Sequence, residues 1–233
     1  MIYKTFKVTA VALFIVTVGY FFTHSTTHSP ENTTVRLSES FNQESVDKVL
    51  NALDAAEKVV TEGETFTLII TSPGGSSNAL ATLIDRLLST ELKVITKVHT
   101  YAFSAGAISF VLGDERVMEK NSSLLFHGAR FIINGLHITK PVLDKYLSGE
   151  KDLLSDEMLK MLEREAIENL IEARQVLIDL MEKDRVLLES IFPKEVVDKL
   201  LVEGKDVVIS AEEALEMGVA TSIYEFKTKK ASK

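Results

Sequence analysis

Three short stretches put chemistry-bearing residues where an α/β chain would expose them. "TLIITSPGG" (Thr67 to Gly75) runs from a β-branched apolar segment through Pro73 into the adjacent glycines Gly74 and Gly75. "YAFSAGA" sets Ser104 between an extended run and small residues, and "SSLLFHG" ends an apolar run on His127. A serine hydroxyl becomes a nucleophile when a base such as imidazole takes its proton. The oxyanion that then forms on the attacked carbonyl needs backbone N–H donors. Serine, imidazole and a bare glycine turn are therefore the parts of an acyl-transfer site. Singly, each has a plainer reading: a serine among alanines packs helices, a lone histidine is a hydrogen-bonded structural residue, and paired glycines make a turn. Ala102-Phe103-Ser104-Ala105-Gly106 also lacks the first glycine of G-x-S-x-G, so the nucleophile elbow of the α/β-hydrolases is not matched.

The elements that must hold these residues alternate between strand and helix. "TTVRLSES" reads as a short strand, and "QESVDKVLNALDAAEKVV" has apolar residues at helical spacing (Val46, Val49, Leu50, Leu53, Ala56). "ETFTLIITS" is a strand ending at Pro73, "SNALATLIDRLLST" a helix, and "LKVITKVHT" a β-rich run before the buried small-residue helix "AGAISFVLG". Gly113-Asp114 turns the chain into the strands "ERVMEK" and "SSLLFHG". From Asp152 to about Ile191 there is neither Gly nor Pro, which predicts a long amphipathic helix with room for one break. "FPKEVVDKLLVEG" is a short helix, "KDVVIS" a strand, "SAEEALEMG" a helix opened by a Ser210/Glu213 capping box, and "VATSIYEF" a closing strand. The alternation over residues 34–130 implies an α/β domain with a largely parallel sheet, where ligands bind beyond the carboxyl ends of strands. Pro73-Gly74-Gly75, Ser104 and His127 all fall at such ends.

Taken together, in order and spacing, "TSPGG", "YAFSAGA" and "NSSLLFH" resemble the ClpP family of serine peptidases, with Ser104 standing 29 positions after Gly75. In that family a strand ends in S-P-G-G, the nucleophile opens a small-residue helix, and a histidine follows an "N-S…M-I-H" strand. "KDVVISAEEALEMGVATSI" is similar to the family's closing "R-D-x-F-L-S-A-x-E-A-x-E-Y-G-L-V-D-x-I". The resemblance covers about residues 34–131 and 200–226. It implies a ClpP/crotonase-like spiral of β-β-α units with a long handle helix. Ser104 would be the nucleophile, His127 the general base and Asp206 the residue that orients the imidazole. The N–H groups of Gly75 and Ala105 would form the oxyanion hole, with Gly74 and Gly75 along the substrate. A side chain at Gly75 is expected to crowd the substrate backbone. Asp114, Asp144 and Asp152 are rivals for the third role, and Asp114 reads as a turn residue. The resemblance implies no cofactor and no metal. It also implies a homo-oligomer built through the handle, about residues 132–200, although the segment between His127 and Asp206 is longer than in the bacterial ClpP core.

The totals exclude other classes. A formal charge of -8 and a pI near 5.3, without a basic stripe, argue against nucleic-acid binding. The absence of cysteine removes disulfides and thiolate chemistry. The N-terminus reads as a basic segment (residues 1–7, with Lys4 and Lys7), an uncharged apolar run (8–22) and a polar linker (23–33). That order describes a membrane anchor or export signal and places the domain (34–228) on the extracytoplasmic, periplasmic side. Residues 229–233 close a basic tail. An enzyme there meets no ATP-driven unfoldase and would cleave peptides or unfolded protein unaided.

Three other functions compete. A membrane-anchored SppA-like signal peptide peptidase would use a Ser–Lys dyad, but Lys93, Lys97 and Lys120 match no dyad position. An enoyl-CoA hydratase-like enzyme shares the spiral fold without needing this serine and histidine. A non-catalytic anchored scaffold would use the long helix alone.

Overall fold

A computed structural model describes residues 33–59 and 65–225. The apolar run 8–22 and the basic tail 229–233 lie outside them. No helix among the described residues is long and apolar enough to cross a membrane.

The central strand pair is β2 (Thr65–Ser72) and β3 (Lys93–Phe103), with β1 (Thr34–Leu37) beside β2. In β2, Phe66, Leu68 and Ile70 are fully buried and Ile69 nearly so, so both faces of the strand are covered. Such burial marks a parallel sheet with helices on its faces. Helix α1 (Gln43–Val59) buries Val46, Val49, Leu53 and Ala56, the predicted stripe. Helix α2 (Ser77–Ser89) starts where the Ser76 hydroxyl accepts from the Ala79 N–H, and it buries Leu80, Leu83 and Leu87. Helix α3 (Ala105–Val111) is buried along its whole length, which its small residues allow.

β3 carries two partners in succession along its length. Ile95–Val98 pair with β4 (Glu115–Glu119), and Tyr101–Phe103 pair with β5 (Ser123–Phe126), both in parallel. β4 then pairs with β9 (Ser222–Tyr224), and β5 pairs antiparallel with β8 (Val207–Ser210). The sheet is thus parallel throughout, except at the β5–β8 ladder. Helix α8 (Ala211–Glu216) follows β8 and carries the expected capping box of Ser210 and Glu213.

The region between β5 and β8 adds a hairpin to the expected helices. Residues 130–139 form an antiparallel hairpin, β6 (Arg130–Ile133) and β7 (Leu136–Thr139). Its turn is Asn134-Gly135, with φ of 52° and 80°, the pair that two-residue hairpins favour. After a further helix, α4 (Lys140–Ser148), the helix expected from Asp152 to about Ile191 is present with one break, as α5 (Asp156–Leu162) and α6 (Ile167–Ile191). Leu162 and Leu170 both enter a second core with Ile138, Leu143 and Leu177. α7 (Lys194–Leu200) follows Pro193 and packs back on the main core through Val197 and Leu200.

Candidate active site

Strand register brings the chemical residues together. Ser72 pairs with Ala102, so the same register sets Gly74 beside Ser104. Phe103 pairs with Leu125, and the Ser104 N–H donates to the Leu125 carbonyl at 2.8 Å. Phe126 pairs with Val207, and one further step sets His127 opposite Asp206. A glycine turn, a serine, a histidine and an aspartate therefore follow one another across four neighbouring strand ends. All of them line one cavity of about 790 Å³, together with Ala105.

Ser104 holds a φ of 55° and ψ of -122°, an unusual backbone for a residue with a side chain. Such conformations cost on the order of 1–3 kcal/mol and persist where the surroundings enforce them. Here the enforcement is visible: the strand ends, the serine N–H is tied to β5, and the chain turns at once into buried α3. The first N–H of that helix, on Ala105, has no acceptor within the helix and is left for another group.

The two glycines divide their work. The Gly74 N–H donates to the Ser72 hydroxyl at 3.2 Å, so it is already used. A Cβ on Gly74 would stand 2.6 Å from the Ser104 Cβ and 2.7 Å from the Phe103 carbonyl oxygen. Gly75 forms a parallel bridge with Phe41, made by the Phe41 N–H to the Gly74 carbonyl and the Ser76 N–H to the Phe41 carbonyl, both at 2.8 Å. This pattern leaves the N–H and carbonyl of Gly75 itself turned away from Phe41. A Cβ on Gly75 would meet the Phe41 carbonyl oxygen at 2.3 Å. The expected crowding at Gly75 is therefore against the protein's own Phe41 backbone, because the pro-side-chain direction faces the bridge.

His127 is half-buried, and its Nδ1 lies 2.7 Å from the Gly128 carbonyl oxygen. A carbonyl can only accept, so the proton of the neutral ring sits on Nδ1 and the Nε2 lone pair stays free as a base. Burial pushes the imidazole below its ordinary pKa, against the opposing pull of the Gly128 carbonyl and the Asp206 charge. Asp206 is exposed and accepts from Arg130 Nη2, and this hydrogen bond holds its carboxyl below the usual range. Arg130 Nη1 donates to His137 Nδ1 at 2.9 Å, and Arg130 Nε is buried without a partner among the described residues. Asp206 thus lies opposite His127 in the ladder, while its direct partner is Arg130.

The rivals sit elsewhere. Asp114 accepts from the Val94 N–H at 2.8 Å, a turn role as expected. Asp144 is held by Lys140 and Arg174, and Asp152 lies in a short 3-10 turn (Lys151–Leu153). Lys93 pairs with Glu115 and Lys120 with Glu225, away from the cavity. The lysine that does line it, among the described residues, is Lys183 on α6. No cluster of three His, Asp or Glu side chains among those residues could hold a metal ion.

Sequence reasoning missed Arg130, Lys183 and Asp184, all on the cavity wall. Asp184 had a signal: it interrupts the apolar stripe of Leu177, Leu180, Leu187 and Ile191. Arg130 had none beyond standing three residues after His127.

Residues 25–140 match the family model of the Clp protease, a span that contains Ser104 and His127 and stops before Asp206. Among solved structures, the fold is similar to that of a point mutant of ClpP1 from Listeria monocytogenes. The TM-score is 0.61 and the identity 19%, over 84% of this chain and 94% of that one. No curated protein sequence matches the chain. On the family match and the shared fold together, the chain is a ClpP-like peptidase of the Clp protease family.

Proposed function

We propose that the chain is a serine endopeptidase in which Ser104 attacks the peptide carbonyl with His127 as general base. The observation that carries this reading is the strand register that lines up Gly74, Ser104, His127 and Asp206 on one cavity. Nε2 of His127 takes the Ser104 proton as the Oγ–carbon bond forms. The N–H groups of Gly75 and Ala105, with no acceptor among the described residues, hold the oxyanion. Collapse expels the amine, which takes its proton from His127. Water activated by the same imidazole then hydrolyses the acyl-enzyme.

The Gly128 carbonyl already fixes the imidazole tautomer, the orienting task assigned to an aspartate in such sites. Asp206 adds charge stabilisation of the imidazolium from the opposite strand. For a direct contact with His127 it must exchange its Arg130 partner.

Two further features belong to this reading. Ile167 and Ile171 on α6 and Ile132 and Ile133 on the hairpin are exposed, which supports self-association through the handle. Lys4, Lys7 and the uncharged run 8–22 support an anchored or exported enzyme that works without ATP. Topology mapping with a reporter fused after residue 33 checks that location.

A fluorophosphonate probe tests the chemistry. Labelling of wild type, abolished in Ser104→Ala and much reduced in His127→Ala, is expected. Labelling that ignores His127→Ala but is lost in Lys183→Ala would transfer the base to a lysine, the Ser–Lys alternative.

A further inference from the structure

Helix α6 turns Leu180, Asp184 and Leu187 onto one face, at i, i+4 and i+7, and all three line the cavity that holds Ser104. An acid therefore occupies a position that the helix pattern reserves for an apolar residue. The surrounding wall is apolar, with Leu80 and Ile84 from α2 and Ile108 from α3. Among the described residues, no hydrogen bond or ion pair reaches the Asp184 carboxylate.

Three nearby cations are engaged elsewhere. Arg130 is bound to Asp206, Lys140 to Asp144 and Glu203, and Arg185 to Asp198 and Glu189. Lys183 lines the same cavity but is exposed and makes no ion pair with Asp184 among the described residues. Asp85, His127 and His137 complete the titratable groups on the cavity wall, and Glu182 lies beyond in a smaller cavity that Asp184 also borders. Burial alone raises the Asp184 carboxyl to about 6. At neutral pH it is an uncompensated anion at the side of an apolar slot, an arrangement that lacks a cation.

We propose that Asp184 selects the substrate: the cavity takes a lysine or arginine side chain on the residue whose carbonyl Ser104 attacks. The aliphatic stem lies along Leu180, Leu187 and Ile84, and the charged end reaches the carboxylate. This rests on the reading of Ser104 as the nucleophile.

Fluorogenic peptides that differ only in lysine against norleucine at that residue test the idea with the whole protein. Wild type is expected to favour lysine in kcat/KM by about tenfold or more, and Asp184→Asn to bring the ratio close to one. A norleucine preference in wild type, or a lysine preference that survives Asp184→Asn, overturns the proposal. A second readout needs no turnover: binding of peptide amides ending in the same two residues to Ser104→Ala. Tighter lysine binding, lost when Asp184→Asn is added, is expected, and equal binding or none overturns the proposal. Where neither fluorogenic peptide is cleaved, the binding comparison decides. Failure of the nucleophile reading shows separately, as fluorophosphonate labelling that is absent from wild type or persists in Ser104→Ala.

Discussion

Arg130 holds Asp206 by a charged hydrogen bond on the strand end directly across from His127. The guanidinium therefore acts on the His127 imidazole twice: its own charge disfavours the imidazolium, and it occupies the carboxylate that would favour it.

Removal of that guanidinium should raise the His127 pKa. The imidazole now sits below its ordinary value, chiefly through burial, so hydrolysis should fall off only as pH drops below that value. In Arg130→Gln one lowering influence disappears and Asp206 is released. The acidic limb of the pH–kcat/KM profile should then move to higher pH. A limb that stays in place would mean that Arg130 and His127 are uncoupled.

Gly74→Ala and Gly75→Ala should fail for different reasons. At Gly74, with φ of 91°, the new methyl meets the Ser104 Cβ and the Phe103 carbonyl, so it displaces Ser104. At Gly75, with φ of 152°, it meets the Phe41 backbone and breaks the bridge. Each should cost on the order of 1–3 kcal/mol in thermal or denaturant unfolding. Fluorophosphonate labelling should fall in both.

Asp184→Asn should stabilise the protein in a pH-dependent way. The carboxyl is raised to about 6 in the folded chain against an ordinary value of 3.8. The folded state therefore binds the proton more tightly, and stability is lost as pH rises from about 3.8 to about 6. Above that window the penalty is fully present, up to about 3 kcal/mol. Unfolding at pH 7.5 should show the variant as the more stable, and the gap should close near pH 4.

Leu177→Ala should loosen the second core selectively. Leu177 is buried with Ile138, Leu143, Leu162 and Leu170, a cluster separate from the one around the sheet. Truncation should cost about 2–5 kcal/mol. Hydrogen exchange should accelerate in α4, α5 and the hairpin before the strands β2 and β3.

Much of this fold is readable along the chain because local signals and burial agree. Pro73 ends β2, Ser76 caps α2 and the Ser210/Glu213 box opens α8, each at the position its chemistry dictates. The handle is less legible. Residues 163–166 contain neither Gly nor Pro, so no local breaker marks where α5 ends and α6 begins. The hairpin does carry a local signal, Asn134-Gly135, which an alternation of strands and long helices does not use. At the site, Ser104 and His127 follow from strand ends, and their family's model matches that span. Arg130 and Asp184 depend on packing between elements far apart in sequence, which periodicity does not report.

The β5–β8 ladder joins residues 123–126 to 207–210, across a long intervening segment that includes the whole handle. Closing so long a loop is slow compared with forming the β2-α2-β3-α3 segment, whose contacts are near in sequence. During synthesis the strand bearing the serine can fold well before the chain has extended as far as Asp206. The cavity that holds Ser104 then gains its Asp206 wall late, only once the C-terminal segment docks.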